Sequence, residues 1–87
     1  MRTPQISPAQ LRAARAWLEL SQDDLAAKAG VGRRAIADFE RGARLPYDRT
    51  LDHLRAAIEE LGITFVFAGE FGTGIHYKIS EHAGGSV

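Results

Sequence analysis

The chain has 87 residues, 45% of them apolar and 25% charged, with eleven Lys and Arg against eleven Asp and Glu and no cysteine. That length admits one small domain, the apolar fraction excludes a disordered polar chain, and the missing cysteines exclude a disulfide framework or a thiolate metal site. Net neutrality, taken alone, argues against a strongly acidic partner. No run approaches the about 18 to 20 apolar residues that span a bilayer, and residues 1–6 have no apolar core of a signal peptide, so a cytoplasmic chain without a membrane partner is expected.

Ile6-Ser7-Pro8-Ala9-Gln10-Leu11 is a helix start. Ser7 is the N-cap, Pro8 takes the first helical position, Gln10 stands third to close a capping box, and Ile6 and Leu11 are placed as a staple. The first helix is predicted to run to about Leu18, with Leu11, Ala14 and Leu18 on one stripe and Trp17 beside it. Ser21 starts a short second helix over about Gln22–Ala29, and Asp23 and Asp24 suit the positive end of its dipole. Gly30-Val31-Gly32 then interrupts the pattern, one glycine able to take a positive φ and the other to stand as an N-cap. A third helix is predicted over about Arg33–Arg41, closed by Gly42 and Pro46. Asp48 is placed to cap a fourth helix, in which Leu51, Leu54, Ile58 and Leu61 trace one face before Gly62 ends it.

The period then changes from helical to alternating. Ile63, Phe65 and Phe67 alternate with Thr64 and Val66, and Ile75, Tyr77 and Ile79 with His76 and Lys78. Two antiparallel strands are predicted, joined by a seven-residue loop, Ala68–Gly74, that holds three glycines. An isolated hairpin is marginal in water unless its apolar face is covered. Phe65, Phe67, Ile75 and Tyr77 are the candidate dimerisation residues, through that face or through pairing of strand edges. The expected organisation is a helical domain over 1–62, a hairpin of the same domain over 63–80 and a flexible tail over 81–87.

Two short helices joined by a tight turn and preceded by a capped helix make a helix-turn-helix, whose second helix enters the DNA major groove N-terminus first. Leu20-Ser21-Gln22-Asp23-Asp24-Leu25-Ala26, Ala29-Gly30-Val31, Ile36, Phe39-Glu40-Arg41-Gly42, Pro46 and Thr50-Leu51 together resemble the XRE family of Cro and phage-repressor-type helix-turn-helix proteins, over about residues 11–61. The resemblance implies a mainly α fold, a four-helix, lambda-repressor-like helix-turn-helix domain, here followed by a C-terminal β-hairpin. It implies a sequence-specific transcriptional regulator, expected to be a repressor that binds a palindromic operator in double-stranded DNA as a homodimer. An antitoxin that represses its own operon and pairs with a toxin protein is the alternative within DNA binding. A protein-interaction module of the same fold is the alternative outside it.

Physical chemistry assigns these positions in part. Leu25, Val31, Ile36 and Phe39 are expected core, with Ala26 small where the second and third helices cross. Arg33 and Arg34 stand in the first turn of the third helix, where a guanidinium reaches guanine O6 and N7, although cations there oppose the helix dipole. Asp38 is four residues after Arg34 and is expected to hold its guanidinium, or to accept from cytosine N4, and Ala37 is small enough to contact a thymine methyl. By the resemblance, Gln22 contacts a phosphate, Arg41 and Arg44 follow the DNA backbone with Lys28 and Arg49 as further candidates, and Arg15 forms a partly buried ion pair with Glu40. Gly32 departs from the family, which usually caps here with Ser or Thr. The hairpin departs from the commoner fifth helix and resembles a subgroup of short bacterial XRE regulators.

No catalytic or metal-binding constellation is expected, and no cofactor. Gly69, Gly72 and Gly74 join strands instead of feeding a helix, and His53, His76 and His82 lack the spacing of a metal site. Residues 1–49 carry nine Lys and Arg against six Asp and Glu, and residues 50–87 carry two against five. Neutrality is therefore a cancellation of segregated charge, with the basic excess on the helix-turn-helix half.

Overall fold

The computed structural model describes residues 4–78. In chain order these form α1 (Pro8–Leu18), α2 (Gln22–Ala29), α3 (Arg33–Glu40), α4 (Asp48–Glu60), β1 (Ile63–Ala68) and β2 (Phe71–Tyr77). Ile79, Ser80, His82 and the tail 81–87 lie outside the described residues.

Each helix start follows from its local chemistry. The Ser7 hydroxyl accepts from the Gln10 N–H, and the Gln10 side chain accepts from the Ser7 N–H, with Pro8 at the first helical position. Ser21 and Asp24 make the same reciprocal box on α2, a partner role for Asp24 that the dipole reading did not include. Gly30 ends α2 at φ +70, and Gly32 is the N-cap of α3 without a side-chain hydrogen bond. At α4 the expected cap moves by one residue: Tyr47 is the N-cap, and Asp48 lies in the first turn, where its charge favours the helix dipole. α3 ends at Glu40, with Arg41 as its C-cap.

The apolar stripes meet in one core of Leu11, Ala14, Leu25, Ile36, Phe39, Leu51, Leu54 and Ile58, with Ala26 and Val31 packed partly buried against it. Ile63 and Phe65 of β1 belong to the same core, at 1% and 4% exposure. Phe67 and Ile75 pack against it from the hairpin, and the Arg55 guanidinium of α4 lies 5.2 Å over the Phe67 ring. Tyr77 is half-exposed against Trp17 of α1, ring centroids 5.7 Å apart. The hairpin face carrying Phe65, Phe67, Ile75 and Tyr77 is thus turned onto the chain's own helices. An amphipathic two-stranded sheet on a short chain buries its face first against the nearest apolar surface, here α1 and α4.

The hairpin is also tighter than its glycines suggested. β1 and β2 pair antiparallel from Ile63↔Tyr77 to Ala68↔Phe71, so the expected seven-residue loop contracts to Gly69 and Glu70, with φ +63 at Gly69. Gly72 and Gly74 stand inside β2, beside a bulge opposite Val66 and Phe67. Gln10 explains this placement. Its amide nitrogen donates to the Val66 carbonyl at 2.8 Å and to the Gly74 carbonyl at 2.9 Å, while its oxygen accepts from Ser7 at 2.9 Å. A Cβ on Gly72 would stand 2.0 Å from that oxygen, so only glycine admits the amide. Gln10 is 2% exposed, and both of its donor hydrogens and its acceptor are engaged.

Gln10→Ala is expected to cost about 2 kcal/mol, because the two strand carbonyls lose their donor in a buried setting. Gln10→Glu keeps the side-chain size but turns an acceptor toward two carbonyls, and is expected to cost more. Urea unfolding of the two variants at neutral pH checks the order.

Candidate nucleic-acid interface

The outward surface of α3 is set by what its inward surface does. Ile36 and Phe39 are buried, and Glu40, a carboxylate at 4% exposure, accepts a two-pronged ion pair from Arg15 of α1: Nε to Oε2 at 2.7 Å and Nη2 to Oε1 at 2.7 Å. The Gln22 amide of α2 donates to the same Oε1 at 3.0 Å, Arg15 Nη1 donates to the Leu20 carbonyl at 2.9 Å, and Arg12 donates to the Glu40 carbonyl. Three helices are joined at one carboxylate. Burial by itself would push the Glu40 carboxyl up, but the hydrogen bonds from Arg15 and Gln22 and the charges of Arg15 and Arg12 hold it below the ordinary glutamate value. The Arg15 guanidinium is raised by its hydrogen bonds to Glu40 against the opposing effect of burial.

With its inner edge so held, α3 presents Arg33, Arg34, Ala37, Asp38 and Arg41 along one side. Arg33 is 60% exposed and reaches back to Asp23 in the first turn of α2, Nε to Oδ1 at 3.3 Å. Arg34 is exposed, and Ala35 and Ala37 are half-buried, keeping the helix surface low between the arginines. Asp38 does not hold Arg34. Its Oδ1 accepts from Arg41 Nη2 at 2.8 Å. Spacing on a helix allows Asp38 a partner three or four residues away on either side, and the guanidinium of Arg41, at the C-cap three residues on, takes it.

The remaining candidates divide. Arg44 is exposed in the loop after α3, whose backbone is pinned by the Ala43 and Arg44 N–H groups donating to the Asp38 carbonyl at 2.8 and 3.3 Å. Gln22 sits at the start of α2 with its amide engaged by Glu40, a contact no spacing rule announces across 18 residues. Lys28 does not join the group. Its ammonium pairs with Glu60 at the end of α4 at 3.1 Å. The Asp23–Arg33 pair and the Arg12 contact to the Glu40 carbonyl were also beyond sequence reading, since each joins residues brought together only when the helices pack.

Arg15→Ala leaves a buried carboxylate short of its main partner and is expected to destabilise by about 3 kcal/mol, whereas Arg15→Met together with Glu40→Met is expected to cost far less. Because Glu40 titrates lower folded than unfolded, its contribution is complete above the ordinary glutamate range and is lost as pH falls through the folded value. Glu40→Gln should therefore flatten the acid limb of the stability curve below the ordinary glutamate range, as read from melting temperature against pH.

Comparison with known proteins agrees with this fold. The helix-turn-helix family model matches residues 11–66. No curated protein matches. Among solved structures, the chain is similar to the solution structure of the DNA-binding domain of the P22 C2 repressor, at 29% identity and a TM-score of 0.56, over 67% of this chain and 76% of that one. Four helices with a two-helix reading unit held at a common carboxylate, and a family match across most of the chain, identify it as a member of the XRE-type helix-turn-helix family.

Proposed function

We propose that the protein is a transcriptional repressor that binds a palindromic operator in double-stranded DNA as a homodimer, with α3 in the major groove. The observation that carries this reading is the pair Arg33 and Arg34, exposed in the first turn of α3 while the opposite side of that helix is locked at Glu40. Cations at a helix N-terminus oppose the macrodipole, so their placement calls for a compensating anionic partner. DNA phosphates supply that charge, and guanine O6 and N7 supply acceptors beside it. The P22 C2 repressor domain, whose fold this chain resembles, is described as DNA-binding. The basic excess of residues 1–49 supports the same orientation.

On this reading Arg33, Arg34 and Ala37 face base edges, with Asp38 fixing Arg41 near the backbone, and Arg44 contacts a phosphate. The Gln22 amide, aligned by Glu40, stands at the α2 N-terminus for a second phosphate contact. A single module makes few contacts, so two copies on half-sites about 34 Å apart are expected. With Phe65, Phe67 and Ile75 packed inward, the apolar surface that the hairpin offers a second copy is Phe71, 77% exposed, and Val66, 41% exposed.

Arg34→Ala is expected to weaken an operator selected from random duplexes by about tenfold or more while leaving random DNA little changed, since a bidentate guanine contact is worth roughly 1 to 3 kcal/mol. Arg44→Ala should instead weaken both and lower the salt slope by about one. Equal losses for the two variants on both duplexes would refute the division of roles. Phe71→Glu should leave the melting temperature near its starting value, convert the protein to a monomer in sedimentation velocity, and reduce operator affinity by about 100-fold through lost bivalency. A persistent dimer would move the interface off the hairpin.

A further inference from the structure

The start of α3 lacks the compensation that a helix start commonly carries. Gly32 caps it with no side-chain hydrogen bond, its first turn holds no acid, and Arg33 and Arg34 add two cations where the dipole is already positive. A carboxylate reaches this end from a different helix: Asp23 of α2, whose Oδ1 lies 3.3 Å from Arg33 Nε. The cap of α2 does not use it. Asp24 closes the box with Ser21, and Asp23 stands one residue earlier, 81% exposed.

The backbone that carries Asp23 is nonetheless fixed. On one side Gln22 donates to Glu40, and on the other Asp24 is held by Ser21. The carboxylate is thus offered to Arg33 from a set position, across a gap that only the packing of α2 on α3 closes. Which nitrogen it takes decides what the arginine can do. Contact through Nε leaves Nη1 and Nη2 as a fork that can meet guanine O6 and N7. A guanine edge approaching that fork leaves the ion pair in place. A phosphate that drew Arg33 away would leave the Asp23 carboxylate unpaired beside an anionic backbone, where like charges repel. Exposed ion pairs are weak, so the resulting bias between the two partners is a few-fold.

Resting on the DNA-binding reading above, we propose that Asp23 is a positioning residue that makes Arg33 a base reader instead of a phosphate binder, by holding its Nε so that the Nη fork faces a guanine. A residue of α2 thereby sets the specificity of a side chain on α3, and it does so by restraining where the cation goes instead of touching a base itself.

The test compares Asp23→Ala, Arg33→Ala and the double variant with the unaltered full chain, on a selected operator and on a random duplex across a salt series. Asp23 is exposed and outside the Ser21–Asp24 box, so melting temperatures should stay near that of the unaltered protein. Asp23→Ala is expected to weaken the operator by about three- to fivefold, the range an exposed ion pair allows, and to strengthen the random duplex by about twofold at low salt. Its salt slope on the random duplex should steepen by about one, because the freed guanidinium neutralises a further phosphate. In the Arg33→Ala background the same substitution should cost the operator nothing, since Asp23 acts only through Arg33. An operator loss that persists there would overturn the proposal. So would equal changes on both duplexes, the mark of a general charge effect, or a fall in melting temperature with losses on both, the mark of a residue that only stabilises the start of α2. Failure of the unaltered protein to bind any duplex at low salt would instead overturn the DNA-binding reading itself, a result distinct from these three.

Discussion

The arrangement of the helices depends on the carboxylate of Glu40. A charge at 4% exposure is costly unless every lone pair finds a donor, and here Arg15 supplies two nitrogens and Gln22 a third. Because these donors come from α1 and α2, the requirement to satisfy one buried charge fixes the angle of α3 against both. An apolar contact of the same area would tolerate sliding. A two-pronged guanidinium–carboxylate contact with both distances at 2.7 Å does not, since it is directional in two bonds at once. Apolar packing of Ile36 and Phe39 provides most of the burial energy on this side of the helix, and the ion pair specifies its orientation.

A second polar residue does for the hairpin what Glu40 does for α3. Gln10 begins as half of a capping box and ends as the clasp between α1 and the bulged strand pair, so one amide sets both the start of a helix and the register of a sheet 56 residues away. The two-stranded sheet, marginal alone, becomes part of the core because Ile63 and Phe65 complete the stripe formed by α4 and because Gln10 pins its carbonyls. Arg55 reinforces the same seam, donating to the Pro4 carbonyl at 3.1 Å and pairing with Glu59 at 2.9 Å while its guanidinium covers Phe67.

These two clasps leave the opposite side of the molecule as the place where charge is not spent on folding. Arg34 and Arg44 are exposed beside a loop that carries Leu45 and Tyr47 outward. Arg33 and Arg41, by contrast, are lightly held by Asp23 and Asp38 in exposed ion pairs of the kind worth at most about 1 kcal/mol. A chain of zero net charge can thus present a basic surface, provided its carboxylates are drawn inward or toward the far end, as Glu40 and Glu60 are.

Much of this was determined by the sequence alone, for a local reason. Caps, glycines and apolar periods act within one or two turns of chain, so Ser7, Ser21, Gly30, Gly32 and the stripes of four helices place the elements nearly to the residue. The family motif likewise lies in contiguous segments, and it carried Arg15 with Glu40. Tertiary structure decided what depends on direction and long-range company. It turned the hairpin face inward because the nearest uncovered apolar surface belongs to the chain's own helices, and it shortened the loop because Gly72 is where Gln10 must pass. It gave Asp38 to Arg41 and Lys28 to Glu60, since spacing leaves Asp38 a partner on either side and does not say which helix end lies opposite Lys28.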